Sequence, residues 1–216
     1  MAKKNFFFLR KKMVEEQIIP RGIRDERVIK ALLEVPREEF VQENQKELAY
    51  EDYPLSIGFG QTISQPFIVA LMTEALEVKE EDKILEVGTG SGYQAAVLAH
   101  IGAKVFSIER IPQLAERAEM ILKKLGYSVK IKVGDGTLGW KEEAPFSKII
   151  VTAAGFKEPE PLIEELEEGG IMVIPLGGFL SQRLVRIRKV SKDKLDKEDI
   201  CGCVFVPLIG KYGFRE

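Results

Sequence analysis

The chain predicts an α/β fold: a doubly wound, mostly parallel sheet of seven strands, with an N-terminal helical appendage and an antiparallel strand near the C-terminus. Three observations carry this expectation. A short apolar strand, KILEV, breaks into a turn with glycines at positions 88, 90 and 92. Strand-like and helix-like runs then alternate, as they do where crossover helices cover both faces of a parallel sheet. Two final strand-like runs follow without a helix between them, joined by a charged SKDKLDKED link that permits a hairpin.

Residues 1–80 read as the appendage and a polar loop, residues 81–216 as the core, and the two as one globular unit. A helical stretch precedes Pro20, and a second runs from about Asp25 to Val35 with Asp25 as its N-cap. The segment AYEDYPLSIGFGQTISQPF, rich in glycine, proline and hydroxyls, then feeds a helix from Phe67 to Leu76. Thr62, Ser64 and Gln65 cluster before Pro66, so Ser64 is both a candidate N-cap and a candidate site hydroxyl. The two roles are compatible, because a capping turn exposes N–H groups able to bind an anion.

The core strands are expected at Lys83 onward, Lys104 to Glu109, Val129 to Gly136, Ser147 to Gly155, Gly170 to Gly177, Arg183 to Val190 and Asp199 to Gly210. Helices fill the gaps: Gln94 to Gly102, Pro112 to the Gly126 stop, and Pro161 to Gly170. The first five strands should be parallel and the last pair antiparallel. In such a sheet, ligands sit outside the carboxyl ends of the strands, where Gly88, Glu109, Asp135 and Ala153 would converge.

The glycine spacing narrows the ligand. A dinucleotide turn wants G-x-G-x-x-G, with the third glycine one helical turn inside the following helix beneath a pyrophosphate. Here the third glycine comes one step too soon, and the turn reads E-x-G-x-G-x-G from Glu86. It keeps the close backbone approach that glycine permits but suits a smaller polar head group, such as the methionine moiety of S-adenosylmethionine. Glu109 ends the second strand 21 residues after Gly88, placed to accept both hydroxyls of a ribose. Asp135 is open to two readings, an adenine contact or a plain Asp-Gly turn with Gly136. Glu86, Gly88, Thr89, Gly90, Gly92, Glu109, Arg110, Asp135 and Gly136 form the candidate cofactor set.

Composition excludes several classes. The 32 basic and 34 acidic residues nearly balance, which offers no bias toward nucleic acid. No apolar run approaches the roughly 18 residues of a membrane span, and the Phe6 to Leu9 stretch is too short for a secretory signal core. A cytoplasmic monomer is the expectation. Cys201 and Cys203 are two apart on one strand, too strained a spacing for a good disulfide, and the single histidine, His100, lies far from them. No metal site is expected. Only Asn5 and Asn44 represent asparagine amid abundant charge, a pattern found in heat-adapted chains.

The segments MVEEQI, PREEFV, AYEDYPLSIGFGQTISQPF, LEVGTGSGYQAAVLA, GDG and FVPLIG, in this order, resemble the protein-L-isoaspartate O-methyltransferase family. The likeness spans Met13 to Gly210, and GQTISQPF is its specific element. It implies a seven-stranded methyltransferase sheet, S-adenosylmethionine as donor, and transfer to the abnormal carboxylate of L-isoaspartyl residues in damaged proteins. By the same resemblance Ser64 lies at the active site with Thr62 beside it. Gln61, Thr62, Ile63 and Ser64 contact the substrate, and the main chain at Val206 helps to hold it. Phe67 departs mildly, standing where tyrosine or histidine is common.

Such chemistry needs little from the protein. When a backbone amide attacks an Asp or Asn side chain, the chain is rerouted through the β-carbon and the α-carboxylate is left free, with a reference pKa of about 3.5. It is already a nucleophile at neutral pH, so positioning, water exclusion and N–H contacts suffice. His100, at the far end of the helix after the glycine turn, reads as structural. Two rivals differ in class. A nucleic-acid methyltransferase has only Arg183, Arg186, Arg188 and Lys189 in its favour, and TAAGFKEP stands after the fourth strand where a base-holding Asn-Pro-Pro-Tyr motif would be. A non-catalytic binding module conflicts with an intact hydroxyl-bearing loop.

Overall fold

The computed structural model describes residues 5–178 and 181–215. The appendage opens with α1 (Phe6–Met13), whose first turn is capped by the Asn5 side chain accepting the Phe8 N–H, and continues as a π-helical turn over Val14–Ile18. Helix α2 (Glu26–Glu34) follows, with Asp25 as N-cap accepting the Arg27 N–H. Arg10 ties α1 down by donating to the Tyr50 hydroxyl, to the carbonyls of Leu33 and Glu34 at the end of α2, and to Glu38.

The polar segment expected as a loop contains a hairpin, β1 (Leu55–Gly58) paired antiparallel with β2 (Gln61–Ile63). Its Gly-Phe-Gly tip has positive φ throughout, the backbone signature of a tight reversal. Helix α3 (Pro66–Ala75) comes next. The core then runs β3 (Lys83–Val87), α4 (Tyr93–Ile101), β4 (Lys104–Glu109), α5 (Pro112–Lys124), β5 (Val129–Val133), β6 (Phe146–Val151), α6 (Glu160–Glu165), β7 (Leu166–Gly177), β8 (Gln182–Ser191) and β9 (Lys194–Cys203).

These seven core strands make one sheet in the order β5-β4-β3-β6-β7-β8-β9. The ladders from β5 through β7 are parallel, while β7 with β8 and β8 with β9 are both antiparallel. The winding reverses at β3, which has β4 on one side and β6 on the other. Alternate residues of each strand feed opposite faces. Ile84, Val105, Ile150 and Val173 pack with Leu32, Val69, Val97 and Leu114 of the helices α2 to α5. Leu85, Phe106, Ile149 and Met172 pack with Leu162 of α6 and with Leu208. Each such fully buried Leu or Ile contributes about 1.5 to 3 kcal/mol through removal from water.

Two boundaries differ most from the sequence expectation, each for a physical reason. The helix expected over Pro161 to Gly170 stops at Glu165, and Leu166 pairs with Phe146 as the first residue of β7. The run EELEEGG would stack like charges at the negative end of a helix, and the open carbonyls of Ile163, Glu164 and Leu166 are taken by the buried ammonium of Lys189. The last strand was expected at Asp199 to Gly210 but spans Lys194–Cys203, so most of the charged link is itself strand. It is the sheet edge, where charge is tolerated and discourages pairing with other chains. Cys201 and Cys203 lie on that edge as free thiols, with burial pushing Cys203 up to about 11.

Candidate active site

The glycine turn leaves the carboxyl end of β3 at the point where the winding reverses. Gly88 has φ +98°, and a side chain there would overlap the Thr152 hydroxyl, which donates to the Gly88 carbonyl at 2.6 Å. Gly90 also has positive φ, and its nearest neighbour on the side-chain side is Ile57 of β1 at 3.5 Å, so the hairpin roofs the turn. Gly92 serves packing instead: a β-carbon would press on Ala118 and Leu122 of α5 at 3.2 and 3.3 Å.

Two acids stand at this turn in different surroundings. Glu86 is fully buried beneath it, accepts the Ser107 hydroxyl, and is linked through Ser107 to Thr89. Burial, with Glu109 nearby, pushes its carboxyl up to about 8, so it is a neutral acid at pH 7. Glu109 ends β4 with 6% of its surface exposed. One carboxylate oxygen accepts the Gly90 N–H at 2.8 Å and the other accepts the Ile111 N–H at 2.9 Å.

Over these strand ends lies a cleft enclosing about 980 Å³, its open mouth included. Gln61, Thr62, Ile63 and Ser64 form one wall. Gly88, Thr89, Gly90, Glu109, Arg110 and Gly136 form the floor, and Val206 to Ile209 a third side. Glu86, Gly92 and Asp135 do not line it. Asp135 instead accepts the N–H and hydroxyl of Thr137 and the N–H of Lys211, capping a 3-10 turn and pinning the tail.

Ser64 is not the cap of α3. That position belongs to Gln65, whose side chain makes no capping bond and reaches to Asp52. The Ser64 hydroxyl has no hydrogen-bond partner among the described residues, whereas its carbonyl accepts a 2.7 Å bond from Arg37. Arg37 is fully buried, also donates to the Ala49 carbonyl at 2.6 Å, and lies over the Tyr93 ring at 4.9 Å. Desolvation lowers it to about 10, and it remains cationic at neutral pH. His100 sits away from the cleft, between Tyr127 and Glu34. Sequence reasoning missed Thr152, Tyr93 and Gln94 as lining residues. All three belong to apolar runs whose pattern signals core, so nothing in the sequence separates them from packing residues.

Comparison with known proteins agrees with this architecture. Residues 9–213 match the family model for protein-L-isoaspartate(D-aspartate) O-methyltransferase. A protein-L-isoaspartate O-methyltransferase of Geobacter metallireducens is 54% identical over 97% of this chain and 98% of its own, and one of Dictyoglomus thermophilum is 51% identical over 96% and 94%. A solved protein-L-isoaspartate O-methyltransferase superposes with a TM-score of 0.84 at 30% identity, covering 94% of this chain and 67% of that one. A Plasmodium falciparum structure described as this enzyme, in complex with S-adenosyl-L-homocysteine, gives 0.80 at 27% identity over 96% and 99%. The chain belongs to the protein-L-isoaspartate(D-aspartate) O-methyltransferase family and is an enzyme of that family.

Proposed function

We propose that the chain transfers a methyl group from S-adenosylmethionine to the free α-carboxylate of L-isoaspartyl residues in damaged proteins and peptides, initiating their repair to normal aspartyl residues. The observation that carries this reading is that one cleft is lined both by the glycine turn braced by Glu109 and by the hydroxyl-bearing segment from β2 to Ser64. The residues fit the donor. Gly90 lines the cleft without a side chain, with Ile57 3.5 Å from where its β-carbon would stand, and Glu109 brings a carboxylate to its floor for a ribose diol. When bound, S-adenosylmethionine supplies an electrophilic methyl group.

The chain's own contribution is positioning. The acceptor carboxylate is ionised at neutral pH and needs no proton removed, so in-line attack proceeds without a general base. Ser64 offers an uncommitted hydroxyl as a donor to that carboxylate. The Val206 N–H, which has no acceptor among the described residues, offers a main-chain contact to the peptide. A nucleic-acid acceptor draws less support from the basic residues of β8. Arg183 pairs with Asp199, Arg186 with Glu77 and Glu198, and Arg188 with Glu77.

A normal Asp carboxylate has a similar pKa, so discrimination rests on where the backbone runs. Held by the same grip, a normal peptide would present its carboxylate one carbon out of place, and about 1 Å of misplacement can cost on the order of a hundredfold in rate. Matched peptides differing only in Asp versus L-isoAsp are expected to differ in kcat/KM by at least that order. Comparable rates on both, or methylation of RNA and neither peptide, would overturn the reading.

A further inference from the structure

We infer that Gln182 is a positioning residue for the isoaspartyl peptide, acting through the main chain of Phe205 on the Val206 N–H; the inference rests on the function proposed above. Gln182 opens β8, and its Cα pairs with Cys203, the last residue of β9. Beyond that rung the two strands part, and Val204 is 82% exposed. The carboxamide of Gln182 then adds one more rung. Its Oε1 accepts the Phe205 N–H at 2.6 Å and its Nε2 donates to the Phe205 carbonyl at 3.1 Å. A side-chain amide bonded to both groups of one residue reproduces what a main-chain partner does in an antiparallel pair.

Gln182 as a whole is only 6% exposed. A polar group so far removed from water is tolerated when its bonds are made, and here both go to a single residue. The next residue, Val206, lines the cleft. Downstream it is fastened to the segment after β6, because the Ala154 N–H donates to the Val206 carbonyl and the Leu208 N–H donates to the Ala154 carbonyl, each at 2.8 Å. Upstream the fastening is Gln182. Between them the Val206 N–H is held at one height in the cleft, where a substrate carbonyl is the matching acceptor. Among the described residues, Glu109 bonds to Gly90 and Ile111 and to nothing in this segment, so the peptide grip and the donor floor depend on different residues.

The test separates those two dependences. Gln182→Ala removes both bonds and is expected to raise KM for an isoaspartyl peptide at least tenfold, while the Kd for S-adenosylhomocysteine, read by calorimetry, stays within twofold. Gln182→Glu supplies a pH signature. A protonated carboxyl can accept from the Phe205 N–H and donate to its carbonyl, whereas the ionised form only accepts. Its peptide KM should therefore approach the wild-type value at low pH and rise as the carboxyl ionises, a limb the wild type lacks. If the alanine variant does not fold, the glutamate variant alone decides. A peptide KM within twofold of wild type at every pH, or S-adenosylhomocysteine affinity falling in parallel with peptide affinity, would overturn the inference. Wild-type enzyme inert on isoaspartyl peptide overturns the proposed function and this inference together; active wild-type enzyme with insensitive variants overturns the inference alone.

Discussion

The hydroxyl of Thr152, one residue past β6, occupies the space that a side chain on Gly88 would need, and donates to the Gly88 carbonyl. The floor of the cleft is thus two strands locked together through a missing β-carbon. Gly88→Ala should abolish S-adenosylmethionine binding and destabilise the fold, through a positive φ costing about 1 to 3 kcal/mol and through the clash. In a Thr152→Ala background the clash is relieved and the conformational cost remains, so the two changes should be non-additive in a double-mutant cycle of melting temperatures. Simple additivity would mean that the contact is not what makes glycine necessary.

Glu109 braces the turn and reaches the cleft floor at once. Glu109→Ala removes charge-assisted hydrogen bonds worth about 1.5 to 3 kcal/mol, and S-adenosylmethionine affinity should fall at least tenfold. Calorimetry on a folded variant with unchanged affinity would remove Glu109 from the donor site.

Because the Ser64 hydroxyl caps nothing, Ser64→Ala should depress turnover on isoaspartyl peptide with little change in melting temperature. A helix cap would behave in the opposite way, costing about 1 kcal/mol of stability and leaving kinetics intact. Parallel thermal melts and steady-state assays distinguish the two.

Glu86 makes stability depend on pH. Its carboxyl titrates near 8 in the folded chain and about 4.3 when unfolded, so between those values the folded state binds the extra proton. The stability it confers is fully present below the unfolded value and is lost as pH rises through the folded one. Glu86→Gln, neutral throughout, should lack that loss. Melting curves from pH 5 to 9 should show the wild type falling relative to the variant, and parallel curves would mean that Glu86 is ionised throughout that range.

Much of this architecture is legible in the chain because periodicity reports burial. Alternation of strand and helix, glycine stops at Gly102 and Gly126, and the early third glycine all follow from local chemistry, and the core strands from β3 to β8 overlap the runs the pattern marks, with boundaries shifted by a few residues in β5, β6 and β7. The hairpin Leu55–Gly58 with Gln61–Ile63 was hidden because strands of three and four residues leave too short a period to read. The first half of β9, Lys194 to Glu198, was hidden because an edge can be charged. Arg37 was illegible for a different reason: in PREEF it looks like a surface cation, and only tertiary packing reveals that its partners are carbonyls.

Those carbonyls belong to Ala49 and Ser64, the two ends of the segment that contains the hairpin. A single guanidinium therefore turns this stretch of chain into a closed ring. The entropy of bringing the ends of a loop together grows only slowly with its length, but it is spent here during folding rather than at the arrival of a substrate. A peptide entering the cleft meets a wall already in shape, and the free energy of its contacts is left to align a carboxylate rather than to order the enzyme.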